Sequence, residues 1–120
     1  MGAHPVGTGG SKSQSEAREM TDRFYLAQCV KDDTMAESIA GAYNRSMEPK
    51  PLIVHFNGAF HSDYRLGTAA RVRTRLEKAR AAVVSIVPLE QLDSIDAAEY
   101  RDRGDYIVFA LHQTQPDDKH

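Results

Sequence analysis

The segment Leu52-Ile-Val-His-Phe-Asn-Gly-Ala-Phe-His-Ser-Asp-Tyr-Arg-Leu-Gly67 is the stretch on which the fold turns. Its mostly apolar opening, Leu52 to Phe56, stops at Asn57-Gly58. That pattern predicts a buried strand running into a glycine-bearing loop that ends at Gly67. In α/β sheets, ligands gather in the crevice outside the carboxyl ends of the strands. The loop carries two side chains able to bind a metal, the imidazole of His61 and the phenol of Tyr64, with Asn57 and Gly58 at the strand end. It is therefore the first candidate site.

Upstream, residues 1–14 are rich in Gly and Ser and read as a flexible lead, so His4 carries little weight. From Ser15 the pattern is helical, with Met20, Phe24 and Ala27 on one face and Tyr25 and Cys29 beside them. Lys31-Asp32-Asp33 reads as a polar break, and Thr34-Met-Ala-Glu37 as a capping box opening a second helix. Met35, Ile39, Tyr43 and Met47 then recur four residues apart, a stripe suited to core packing rather than to a ligand face. Pro49 and Pro51 stop this helix.

Downstream, Thr68 can cap a third helix with Ala69, Val72, Leu76 and Ala79 on its buried face. Ala81-Ala-Val-Val-Ser-Ile-Val87, closed by Pro88, has the unbroken apolarity of a strand covered on both faces. After a loop and a short helical turn, Tyr106-Ile-Val-Phe-Ala-Leu111 reads as a third strand. The expected order is α-α-β-α-β-(α)-β, an α/β domain over residues 15–112 with a small, mostly parallel three-stranded sheet. The tail, 113–120, reads as disordered. So thin a sheet has open edges, which suggests part of a larger domain or one half of a dimer.

The totals narrow the function classes. The chain has 120 residues and a formal charge of −2, which offers no general attraction to nucleic acid or an anionic membrane. Cys29 is the single cysteine, so neither an intrachain disulfide nor a cysteine zinc site can form. No apolar run reaches the ~20 residues of a membrane span, and no apolar leader stands at the N-terminus.

Two segments together resemble the ChaN-like haem-binding family, part of a wider group with the Tiki, TraB and erythromycin-esterase-type proteins. One is Ala27-Gln-Cys-Val-Lys-Asp-Asp-Thr-Met-Ala-Glu-Ser-Ile39, similar to the family's Gln-x-x-x-Asp-x-Thr-Met-Ala helix start. The other is His55 to Gly67 with Arg71-Val72, in which Gly58-Ala-Phe-His61 is similar to the family's second Gly-x-x-His motif. The resemblance runs from about residue 17 to 88. It implies haem binding linked to bacterial iron or haem uptake at the envelope or in the periplasm. Asn57, Gly58 and His61 would lie in the site, Tyr64 would be an axial ligand to haem iron, and Arg65 and Arg71 would pair with the propionates.

The family also has an N-terminal strand ending in Gly-Glu-x-His, and this sequence has no such segment. The resemblance therefore covers the C-terminal half of the family domain. It implies that a second copy, another chain, or the missing region of a longer parent completes the site. A metal-dependent hydrolase of the Tiki or erythromycin-esterase type is the alternative, and an inactive partial domain that folds by oligomerising is the bland one. An enzyme is the less favoured reading, since one His cannot hold a catalytic metal. Asp32 and Asp33 read as helix caps rather than a catalytic pair, and His55 as a strand residue.

Overall fold

The structure, a computed structural model, describes residues 9–112, with side-chain surroundings from residue 13. The chain divides into two compact units, the first ending at Lys31 and the second starting at Asp32. Helix α1 spans Gly9–Arg45, α2 Gly67–Arg75 and α3 Ala97–Tyr100, with strands β1 at Val84–Leu89 and β2 at Tyr106–Leu111. The two strands pair in parallel, from Val84 opposite Tyr106 to Leu89 opposite Leu111. The chain is thus α/β with a parallel sheet, but the sheet has two strands rather than three.

The expected break at Lys31-Asp32-Asp33 does not occur, and α1 begins at Gly9, inside the Gly/Ser-rich lead. Lys and Asp in a helix interior cost at most about 0.7 kcal/mol each relative to Ala, too little to interrupt a long hydrogen-bond ladder. Thr34 and Glu37 accordingly sit within the helix and form no capping box; the Thr34 carbonyl accepts from the Ser38 hydroxyl at 2.9 Å. In the first unit the expected apolar face is open, with Met20, Phe24 and Tyr25 exposed. In the second unit the helix buries Asp32, Ala36 and Ala40, one row at four-residue spacing, while Met35, Ile39 and Tyr43 flank it half-buried and Met47 is exposed. The last turn is closed by Lys50, whose Nζ donates to Ser46 O at 2.6 Å and to Tyr43 O at 3.2 Å. Those bonds satisfy carbonyls that the end of a helix leaves without partners.

Leu52–Phe56 forms no strand. An apolar run in a sequence reports which side chains want burial, whereas a strand exists only when a neighbour completes its ladder. No such neighbour stands beside this run among the described residues, and Leu52, Val54 and Phe56 are exposed. The strand expected over 81–87 is shifted along the chain to Val84–Leu89, starting three residues later and ending two later, so that Pro88 lies inside it rather than closing it. An edge strand tolerates the missing N–H.

Among the described residues the sheet is covered on one face only. Ser85 and Val87 are buried and Ile107 and Phe109 half-buried, while Val84, Ile86, Tyr106 and Val108 stand exposed on the other side. Tyr100 of α3 packs edge-on against Phe109, ring centroids 5.4 Å apart. With Val83 and Leu76, Val87 makes the apolar centre of this unit. Replacing Val87 by Ala removes two methyl-sized groups of about 0.8 kcal/mol each and leaves a cavity. The expected loss is on the order of 1–3 kcal/mol, measured as a lower urea midpoint at unchanged slope.

Candidate functional site

The site lies wholly in the second unit and is built by the chain between Asn57 and Arg71 with Asp32. From Gly58 the backbone closes two successive tight turns, at Ala59–His61 and Asp63–Arg65, through His61 N to Gly58 O at 2.9 Å and Arg65 N to Ser62 O at 3.1 Å. The Ser62 hydroxyl donates to Asn57 Oδ1 at 3.0 Å and braces the entry. Asn57 thus supports the turn, and Gly58 shapes it.

His61 is buried, and its Nδ1 lies 2.7 Å from Asp32 Oδ1. The same oxygen accepts from Thr68 Oγ1 at 2.8 Å, and Arg71 Nη1 stands 3.8 Å from the other carboxylate oxygen. Burial on its own would raise the Asp32 pKa. The bonds from His61 and Thr68, followed by the charges of His61 and Arg71, outweigh it and hold the carboxyl below its ordinary value of 3.8. Asp32 therefore caps no helix, and Thr68, one residue inside α2, bonds the carboxylate rather than its own helix start; Leu66 holds the cap position. Gly67 completes the contact. Its φ is +53°, and a Cβ there would meet His61 O at 2.5 Å and Asp32 Oδ1 at 3.1 Å. Only glycine suits both the left-handed backbone and the space.

Tyr64 and Arg65 both have φ of 59°, the left-handed region that costs a non-glycine residue about 1–2 kcal/mol. Tyr64 projects outward and is 53% exposed. Arg65 turns back: Nε donates to Asp105 Oδ1 at 3.0 Å and Nη2 to Gly104 O at 3.1 Å. Asp105 Oδ2 in turn accepts from Val83 N at 2.7 Å. Asp63 Oδ1 accepts from Ser85 Oγ at 2.8 Å, which joins the loop to β1. Arg71 donates to Gly67 O at 3.3 Å and faces Asp33 as well as Asp32. Both arginines expected at haem propionates thus already serve carboxylates of this chain. His55, exposed in the unpaired run, makes no part of this network.

The family described as haem-binding uptake, Tiki superfamily, ChaN matches residues 3–72, more than half of the chain. The chain belongs to this family. The match to the haem-binding uptake family takes in Asp32, the whole His61–Tyr64 loop, Gly67, Thr68 and Arg71, and it ends before β1, short of the limit at 88 expected from the sequence. No curated protein and no solved structure matches the chain.

The haem-binding family's candidate donors are thus held in two ways, His61 from beneath by a buried carboxylate and Tyr64 by backbone conformation. Two surface recesses, one lined by Ala17, Arg18, Thr21 and Asp22 and one by residues between Leu89 and Tyr100, include neither. Sequence reasoning missed Asp32, Asp63 and Asp105 as partners of the loop, since each lies more than twenty positions from the residue it holds.

The carboxylates set an acid limit. The Val83 N–H holds Asp105 down first, burial opposes it, and Arg65 and Arg73 add to the lowering. Because both acids have folded pKa values below their unfolded ones, their stabilisation is complete above about pH 4 and is lost as pH falls through the lower folded values. Urea unfolding across an acid series should show stability falling below about pH 4. Asp32→Asn should flatten that limb, and an unchanged limb would contradict the assignment.

Proposed function

We propose that this chain binds haem, or another iron porphyrin, against the Asn57–Leu66 loop, in the service of haem or iron uptake. The observation that carries the reading is Tyr64, whose phenol the left-handed backbone holds out to solvent beside the carboxylate-braced His61. A phenolate is a suitable axial ligand for ferric haem, and an imidazole nitrogen is a second one. The donor set fits the group in a further respect. Phe56, Phe60 and Leu66 are exposed around Tyr64 in sequence and offer apolar surface for a flat macrocycle. Arg65 and Arg71 do not fit as free propionate partners, since their guanidiniums are engaged with Asp105, Asp32 and Asp33. Haem would supply the iron; the chain would supply the ligand atoms and hold them.

Hemin titration of the full chain tests this. A saturable Soret shift is expected, with Tyr64→Phe weakening binding or moving the band. No shift in the wild type, or the same shift in both Tyr64→Phe and His61→Ala, would overturn it. Among the described residues no three His, Cys, Asp or Glu side chains group as metal ligands.

We further propose that the chain works as an oligomer. The open sheet face of Val84, Ile86, Tyr106 and Val108 supports this, together with the exposed Leu52, Val54 and Phe56. A face of this kind marks an interaction surface more often than bare solvent contact. The melting temperature should then rise with protein concentration, and Ile86→Ser should reduce that dependence. A melting temperature independent of concentration would exclude oligomerisation as the source of stability.

A further inference from the structure

The haem reading takes Asp32 only as a brace behind His61, yet this carboxylate is buried and makes the shortest side-chain contact to the loop. We propose that Asp32 is a positioning residue: it fixes the His61 imidazole in the tautomer protonated at Nδ1, leaving Nε2 as an unprotonated lone pair offered to a ligand. The function of that lone pair rests on the haem reading; the tautomer itself does not.

An ionised carboxylate only accepts. The Thr68 hydroxyl and the Arg71 guanidinium beside it favour the ionised form of Asp32. Its Oδ1 accepts from the Thr68 hydroxyl at 2.8 Å, and among the described residues the only other hydrogen bond to that oxygen is with His61 Nδ1, at 2.7 Å. Were the proton on Nε2, the Nδ1 lone pair would face the carboxylate oxygen across that distance, two acceptors without a proton between them. The proton therefore sits on Nδ1. The ring has no easy escape by rotation, because the Phe60 ring lies 4.0 Å from it, centroid to centroid. Gly67 admits the approach, its missing Cβ being the atom that would crowd both Asp32 Oδ1 and the His61 carbonyl. No hydrogen bond holds Nε2 among the described residues. The arrangement is that of a ligating histidine oriented by a carboxylate behind it.

The test reads the tautomer directly, in the full chain without haem. Imidazole nitrogen chemical shifts are measured in an isotope-labelled protein at about pH 9, above the ordinary histidine range near 6.5. The expected wild-type result is a protonated Nδ1 and an unprotonated Nε2 at His61. Asp32→Ala should release the ring toward the Nε2–H form. Asp32→Asn should retain the Nδ1–H form, since an amide oxygen can accept from both donors and only the charge is lost. A wild-type His61 protonated at Nε2, or an Asp32→Ala spectrum like the wild type, would overturn the proposal. If Asp32→Ala does not fold, the wild-type and Asp32→Asn spectra still decide it. Loss of an outer partner of this kind should also weaken hemin binding about ten- to a hundredfold in Asp32→Ala. Failure of the wild type to bind hemin would count against the haem reading alone, because the shift measurement needs no haem.

Discussion

One buried carboxylate, Asp32, constrains everything around the loop. A charged oxygen removed from water must have its acceptor sites filled, or it destabilises the fold by several kcal/mol. His61 and Thr68 fill them, and the geometry of both follows from that need. Thr68 must stand in the first turn of α2 to reach Asp32, so α2 starts at Gly67. Gly67 must lack a side chain because a Cβ would press on the carboxylate and on the His61 carbonyl. Helix α1 must continue through Asp32, since a break there would swing the carboxylate away from its donors. A single electrostatic requirement thus sets where a helix continues, where another begins and why one position is glycine.

Asp105 does for the sheet what Asp32 does for the loop. It accepts from Val83 N just before β1, receives Arg65 from the loop, and sits next to the first residue of β2. Tyr64 and Arg65 are held in a backbone region that costs each about 1–2 kcal/mol. Hydrogen bonds to charged groups contribute about 1.5–3 kcal/mol each, so the Arg65–Asp105 contact offsets part of that strain. Its side chains are about one-third exposed, which places its worth at the lower end. The carbonyl of Gly104 adds a further acceptor.

Much of this was legible in the sequence, and the failures have one cause. Periodicity located α2, the β1 and β2 runs and the glycine-bearing loop, because those patterns are local and strong. It misjudged Leu52–Phe56, since an apolar run speaks of burial and says nothing of whether a neighbouring strand is present. It split α1 at Lys31-Asp32-Asp33 by treating charge as a stop signal, although Lys and Asp cost a helix little in intrinsic propensity. Roles failed where they depend on distant partners. Arg65 looked free because Asp105 lies forty positions on, and Asp32 looked like a cap because its histidine lies twenty-nine positions on. The residue types of the site were readable; the pairing of its charges was not.

That difference bears on how such a loop should be read. A search by residue type selects His61, Tyr64, Arg65 and Arg71 alike, because all four can serve a metal or an anion. Burial and partnership separate them. Arg65 and Arg71 spend their donors on carboxylates of the same chain, and Asp32 spends its acceptors on His61 and Thr68. Among the described residues, what remains without a hydrogen bond is the outward phenol of Tyr64 and the far nitrogen of His61. A side chain that the fold holds in place at some cost, while leaving its reactive atom without a partner, is the one whose environment has been arranged for something outside the chain. By that criterion the proposed haem site rests on two atoms of the loop rather than on six residues, with Asp32, which Thr68 also bonds, and Asp105 bonded to the loop behind them.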